Sequence, residues 1–384
     1  MSALSSEFGP FDGRVWMNCA HQGPLPVGAR RAALEAIELK RTPARLKDAL
    51  FAEVPARLRA ALGRLTSAPP EQIALTNSTS YGFNLLAQGL PWQAGDEIVC
   101  VEGDFPATVV PWKPLERRGV EVRLIAVPDA RLTAEILAAE ISPRTRAVCA
   151  SWVYSFFGNA IDLEACGRAC HERDALFFLN GSQALGARAI DVTKLPIDAL
   201  SCCGFKWLCG PYATGFAWLS PRILERLDFP NPHWLRLQLK AAADEAVELD
   251  RALAYDLPTE TAADAYDVFC AANFLNFMTW TESVEHLLEL GLPRIEEHDQ
   301  RLVERLVAGL PETIAVQSPR EPPARSTLVL ASHADRERNP ALARELQARG
   351  VDIALRDGKL RFSPHLYNSP ADVDRVLEAL HELV

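Results

Sequence analysis

The sequence predicts an α/β protein with a mainly parallel sheet, helices on both faces, and a smaller α+β unit at its C-terminal end. Three observations carry that expectation. Short apolar runs alternate with helical stretches between residues 97 and 180 (EIVCV, VEVRLIAV, RAVCASWV and ALFFLN, with LTAEILAAEI and LEACGRACHERD between them), which is the pattern of strand-helix-strand crossovers. A long helical region from about 263 to 309 separates this block from a second, shorter mix of strand-like and helical segments that closes with SPADVDRVLEALHELV. The chain of 384 residues also exceeds what one small core organises.

The elements follow in order. Residues 27–64 read as two charged amphipathic helices, with Leu, Ala and Val recurring at helical spacing. The alternating block comes next, and the segment VVPWKPLERRG within it is expected to be helical. DALFFLN fits one buried strand, and SPREPPAR reads as an exposed connector. No internal repeat or low-complexity tract interrupts the chain.

Composition narrows the function classes. Apolar residues make up 48% and charged residues 23%, as in globular proteins, and the net charge of −10 leaves no basic stripe for a nucleic-acid backbone. No apolar run approaches the length of a membrane-spanning helix. Nine scattered cysteines without a secretory leader point to a reducing cytoplasm, and their positions in strands and helices suit small buried hydrophobes. Cys166, Cys170 and His171 share a helix neighbourhood, but one such trio lacks a second ligand group, so no metal site is expected. The expected partner is a small molecule.

The most informative stretch runs from residue 175 to 219. An apolar strand ends in Asn180-Gly181-Ser182-Gln183, and a second short strand is expected to end at Lys206, before Trp207 and a Gly-Pro turn. Phe205 and Trp207 flank the lysine, and an amine stripped of water can attack an aldehyde. The bland alternative is a strand-end lysine that reaches solvent.

This stretch resembles the class V aminotransferase and cysteine desulfurase group of fold-type I pyridoxal-phosphate enzymes, whose pattern runs Asp-Gly-Ala-Gln-Ala, a strand, and Ser-Gly-His-Lys. Other segments match in order: TNSTSYGFNLLAQGL (76–90) is similar to the phosphate loop, EGDFPATVVPW (102–112) to the ring-stacking segment, and RFSPHLYNSPADVDRVL (361–377) to the substrate-binding segment. The opening MNCAHQGPLP (17–26) resembles the isopenicillin N epimerase-like branch.

The resemblance implies pyridoxal 5'-phosphate as cofactor, an amino-acid-like substrate and a homodimer. It implies a large cofactor-binding domain over 15–262 and a small C-terminal domain over 263–384, with residues 1–14 packing near the latter. Lys206 would form the Schiff base. Thr79 and Ser80 would hold the phosphate at a helix N-terminus, a placement that suits an anion. Phe105 would cover the pyridine ring, Gln183 would donate to the phenolic oxygen with Ser155 nearby, and Asn180 would face the ring nitrogen. Arg361 would clamp the substrate carboxylate with help from Arg356, because a planar guanidinium suits that bidentate task. His21 would be an acid-base candidate near the substrate.

Departures from the pattern bear on the reaction. Asn180 stands where the family has an Asp paired with the ring nitrogen, and a neutral amide holds no pyridinium by charge. Cys203 and Phe205 replace the Ser and His before the lysine, and Cys270-Ala271 replaces a Gly-Thr that reaches across the dimer to the phosphate. Between Arg356 and Arg361 only Asp357, Gly358, Lys359 and Leu360 remain, with no nucleophilic Cys of the desulfurase kind. The expectation is therefore a lyase or epimerase. The alternatives are a conventional class V aminotransferase, or a cofactor-poor relative with a binding role.

Overall fold

The structure, a computed structural model, describes residues 5–127, 131–228, 262–268 and 272–384. A short strand β1 (Val15–Trp16) precedes the two amphipathic helices, α1 (Val27–Arg41) and α2 (Leu50–Thr66). Seven strands then build the large sheet: β2 (Ile73–Thr76), β3 (Glu97–Val101), β4 (Glu121–Ile125), β5 (Thr145–Ser151), β6 (Leu176–Asn180), β7 (Ala199–Cys203) and β8 (Gly215–Leu219). Their order is β2-β8-β7-β6-β5-β3-β4. Strands β4, β3, β5, β6 and β7 run parallel, and β8 alone is reversed, antiparallel to both β2 and β7.

The inner strands β3, β6 and β7 are buried at every residue, which explains why they read as continuous apolar runs, whereas β4 at the edge has exposed positions. Successive residues of β6 feed opposite faces: Phe177 and Leu179 join one hydrophobic cluster, Leu176 and Phe178 the other. The sheet is thus covered on both sides, as the crossover pattern predicts.

The C-terminal unit holds an antiparallel sheet of β9 (Ile314–Val316), β10 (Val329–His333), β12 (Ala354–Arg356) and β13 (Lys359–Phe362), in the order β12-β13-β10-β9. Helices Asn339–Ala348 and Pro370–Leu383 cover it, and Leu346, Leu360, Phe362 and Val376 share its core with Val15 and Met17. The N-terminal segment is tied in by β1, which pairs in parallel with β11 (Val351–Asp352).

Two elements differ from expectation. Val110–Arg118 is a run of 3-10 helix, because Pro111 and Pro114 withhold N–H groups that an α-helix needs. The long helical region is split at Gly291, whose φ of 83° stops Phe274–Leu290 before Leu292–Gly309 begins. Cys270 and Ala271 lie outside the described residues. No described helix is long and apolar enough to cross a membrane.

Candidate active site

The sequence-predicted residues converge on one edge of the large sheet, where parallel strands end and ligands of such sheets bind. Thr79 and Ser80 follow β2, Phe105 follows β3, Ser155 follows β5, Asn180 closes β6, and Lys206 follows β7.

The lysine does not end its strand, as expected from sequence. β7 stops at Cys203, and Lys206 occupies the turn that follows. That turn is shaped by glycines: a Cβ on Gly204 would lie 2.6 Å from Cε2 of Trp280, and one on Gly210 would lie 2.4 Å from its Cδ1. The Gly204 N–H donates to the Thr214 carbonyl and the Gly210 N–H to the Gly204 carbonyl, closing the loop at 2.9 and 2.8 Å. Lys206 is 8% exposed, its Nζ 5.1 Å from the ring centroid of Phe105 and 5.9 Å from that of Phe205. Among the described residues it forms no ion pair.

A buried ion pair braces the lysine loop from behind. His365 Nδ1 lies 2.7 Å from Asp299 Oδ2, and its Nε2 donates to the carbonyl of Trp207 at 3.1 Å. Burial opposes the imidazolium, but the charge and hydrogen bond of Asp299 overcome it and raise the His365 pKa to about 10. Trp207 in turn donates from Nε1 to Gln183 Oε1 at 2.9 Å.

Gln183 has both kinds of amide atom committed, since Nε2 donates to the Ala20 carbonyl at 3.0 Å and to Ser155 Oγ at 3.2 Å. Among the described residues the Ser155 proton finds no acceptor, which leaves it free to donate into the site. Asn180 is fixed by two contacts: Oδ1 accepts from the Ser182 N–H at 3.0 Å, and Nδ2 donates to Thr108 Oγ1 at 2.9 Å. Behind Thr108, Ser151 Oγ lies 3.2 Å away and donates at 2.6 Å to Asp104, a carboxylate that burial pushes up to about 6.

Thr79 and Ser80 open α3 (Thr79–Gly89), where Ser78 caps the helix by accepting from the Tyr81 N–H at 3.2 Å. Their own amides precede any intrahelical acceptor and remain available to an anion. Thr79 Oγ1 pairs with Ser182 Oγ at 2.6 Å, and a Cβ on Gly215 would lie 2.7 Å from the Ser78 nitrogen, so only glycine admits this loop. Cys203 is buried and Phe205 presents a ring, so neither offers a strong donor there.

The opposite wall comes from the C-terminal unit. Arg361 on β13 is 2% exposed, and its Nε is buried without a hydrogen-bond partner. Burial first, and then the charge of Arg356, lowers its pKa to about 9. His21 is exposed, and its pKa is depressed by partial burial and by the positive charges of Arg356, Arg361 and Lys206. One stability consequence follows from a buried cation with no anion among the described residues. Arg361→Met should raise the melting temperature of the ligand-free protein and, where Arg361 takes a substrate carboxylate as the resemblance implies, weaken substrate binding by roughly 10- to 150-fold, the equivalent of about 1.5–3 kcal/mol for a charged hydrogen bond. Thermal melts with and without substrate check both halves.

Sequence reasoning missed Asp104, Thr108, Ser151, Ser182, Asp299 and His365 as parts of this network, although most of them lie within segments it singled out. Cys166 and Cys170 are buried, as are all eight cysteines among the described residues, and His171 Nε2 is bonded to Asp198 at 2.9 Å.

A mostly parallel sheet with a buried lysine at its carboxyl edge and a helix N-terminus beside it defines the fold-type I class of pyridoxal-phosphate enzymes. The chain belongs to the aminotransferase class-V family, whose sequence profile matches residues 48–376. A probable cysteine desulfurase of Methanothermobacter thermautotrophicus is 24% identical over 77% of this chain and 72% of its own. The isopenicillin N epimerase of Streptomyces clavuligerus is 31% identical over 57% of each chain. Among solved structures, the cystine C-S lyase C-DES, seen as a mutant with glycine covalently linked to its pyridoxal-phosphate cofactor, superposes with a TM-score of 0.84 at 19% identity, covering 96% of both chains. The family depends on pyridoxal phosphate, and three features of this site fit that group. They are the Phe105 ring beside a buried amine, the helix opening cradled by Gly215, and the Ser155 hydroxyl, whose proton has no acceptor among the described residues.

Proposed function

We propose that this chain is a pyridoxal-phosphate lyase that acts on amino acids by elimination at the β-carbon, with Lys206 as both Schiff-base residue and general base. The single observation behind this reading is the buried Lys206 amine, held 5.1 Å from the Phe105 ring with no acidic partner among the described residues. Bound there, pyridoxal phosphate supplies an aldehyde for imine formation and an electron sink for cleavage at the α-carbon.

The protein's own residues do the rest. The amides of Thr79 and Ser80 and the Thr79–Ser182 hydroxyl pair receive the phosphate. Phe105 would cover one face of the ring and exclude water. Ser155, oriented by Gln183, donates to the phenolic oxygen. Arg361 takes the α-carboxylate and thereby fixes which α-bond faces the lysine. Lys206 Nζ would hold the cofactor's aldehyde and, as an amine buried beside the bound substrate, would serve as the base for the α-proton. His21, whose pKa is depressed by partial burial and then by the surrounding cations, would relay a proton near the leaving group.

Asn180 favours elimination over amino transfer. Its neutral amide would give a bound cofactor's ring nitrogen no ionic partner, which would weaken the electron sink that amino transfer relies on. The type of cysteine loop that desulfurases use has no room here either, because β12 and β13 are joined by only Asp357 and Gly358. A homodimer is part of the proposal, supported by the apolar side chains of Val27, Leu34 and Ile37, which stay exposed on α1.

The test is a titration of the purified chain with pyridoxal phosphate, followed by a β-substituted amino acid. A visible absorption band should appear, and folding stability should rise by about 2.7 kcal/mol at a hundredfold excess over the dissociation constant. A 2-oxo acid, ammonia and the free leaving group should then form in equal amounts, with water consumed. A protein that ignores the cofactor would instead be a relative with a binding role, and one that forms a new amino acid from an added 2-oxo acid would be an aminotransferase.

A further inference from the structure

The β12–β13 hairpin carries more positive charge than one carboxylate requires. Its register pairs Ala354 with Arg361, Leu355 with Leu360, and Arg356 with Lys359. Directly opposed residues share a face, as do residues two apart along a strand, so Arg356, Lys359 and Arg361 all project from the same side. The other side, with Leu360 and the adjoining Phe362, is core of the C-terminal unit. The cationic side therefore faces the large domain. Lys359 fixes that orientation, since its Nζ donates to the Phe156 carbonyl at 3.4 Å and sits 4.9 Å from the Phe157 ring. Phe156 stacks on Phe105 with centroids 6.3 Å apart, and Phe105 is the ring beside Lys206.

Counter-charge is scarce on this face. Lys359 has Asp357 at 3.3 Å, in the solvent-exposed turn. Arg356 donates only to the neighbouring Leu355 carbonyl, at 3.0 Å, and Arg361 has no acceptor at all among the described residues. His21 feels both arginines from the N-terminal segment and adds no negative charge. Two guanidinium groups without carboxylates, one of them nearly sealed from water, are tolerated where anions neutralise them in use.

We propose that the substrate carries a second anionic group, such as a side-chain carboxylate, and that Arg356 reads it while Arg361 holds the α-carboxylate. This rests on the lyase reading above and narrows its substrate class to acidic amino acids or amino-acid conjugates. Arg356 then determines specificity and is not a second hand on the α-carboxylate, as the family resemblance suggested. Its half-buried place at the end of β12, across from Lys359, sets it apart from the sealed Arg361.

The experiment titrates the cofactor-loaded protein with charged and neutral partners of matched shape, in both enantiomers: aspartate with asparagine, glutamate with glutamine, and 2-aminoadipate with its amide. Binding is read as the shift of the visible absorption band. In at least one pair the anionic member should bind about tenfold or more tighter, with the advantage shrinking as salt is added. Arg356→Gln should reduce that ratio to below about twofold, and Arg356→Lys should retain part of it. Equal affinity within every pair overturns the inference, and so does a preference that survives Arg356→Gln. If that variant fails to fold, the wild-type ratios and Arg356→Lys still decide. A protein that loads cofactor but does not discriminate defeats only this inference. One that never develops the absorption band defeats the lyase reading and this inference together.

Discussion

Lys206→Ala should abolish the visible absorption band that pyridoxal phosphate produces with the wild-type chain, and turnover should fall by roughly 10²–10⁴-fold or more, because in the proposed reaction one side chain is both imine partner and base. The protein should still fold. Lys206 is held by no ion pair among the described residues, and its loop is closed by backbone bonds of Gly204 and Gly210 that the substitution leaves untouched. Circular dichroism would confirm the fold and absorbance the loss. An added small amine should restore a fraction of the activity of the Ala variant. Full activity without Lys206 would end the proposal.

A second large effect is expected at Asp299. Asp299→Ala leaves the imidazolium of His365 buried without its counter-ion, a change that typically costs about 3–5 kcal/mol. The wild-type protein should also show the pair as a pH dependence. The folded pKa of His365 lies at about 10, above the unfolded value of about 6.5, so its stabilisation is complete below the lower value and fades as pH rises through the upper one. Denaturant titrations between neutral pH and pH 10 should show that alkaline loss in the wild type and a flatter profile in Asp299→Ala. Because His365 anchors the Trp207 carbonyl, the variant should also impair cofactor binding, which a purely peripheral ion pair would not do.

The architecture was legible because it rests on pattern. Fully buried parallel strands leave continuous apolar runs, and their carboxyl ends are where Asn180, Phe105 and Lys206 were sought. The connections between site residues were not legible, since they join positions that only folding brings together: Asp104 reaches Ser151, and Asp299 reaches His365. One of them did leave a trace. Asp299 falls on the buried stripe Leu292, Ile295, Leu302 and Leu306 of its helix, where an acidic residue needs a partner. Asp357-Gly358 was likewise readable as a two-residue hairpin turn, with φ of 48° and 67°, and it explains why three basic residues share one face.

That turn also bears on where the departing fragment of the proposed elimination would go. A short, stiff β-ribbon in place of a swinging thiol arm cannot ferry an atom out to a second protein. Under the proposed elimination, the departing fragment would leave by diffusion into water rather than on a mobile side chain of this wall.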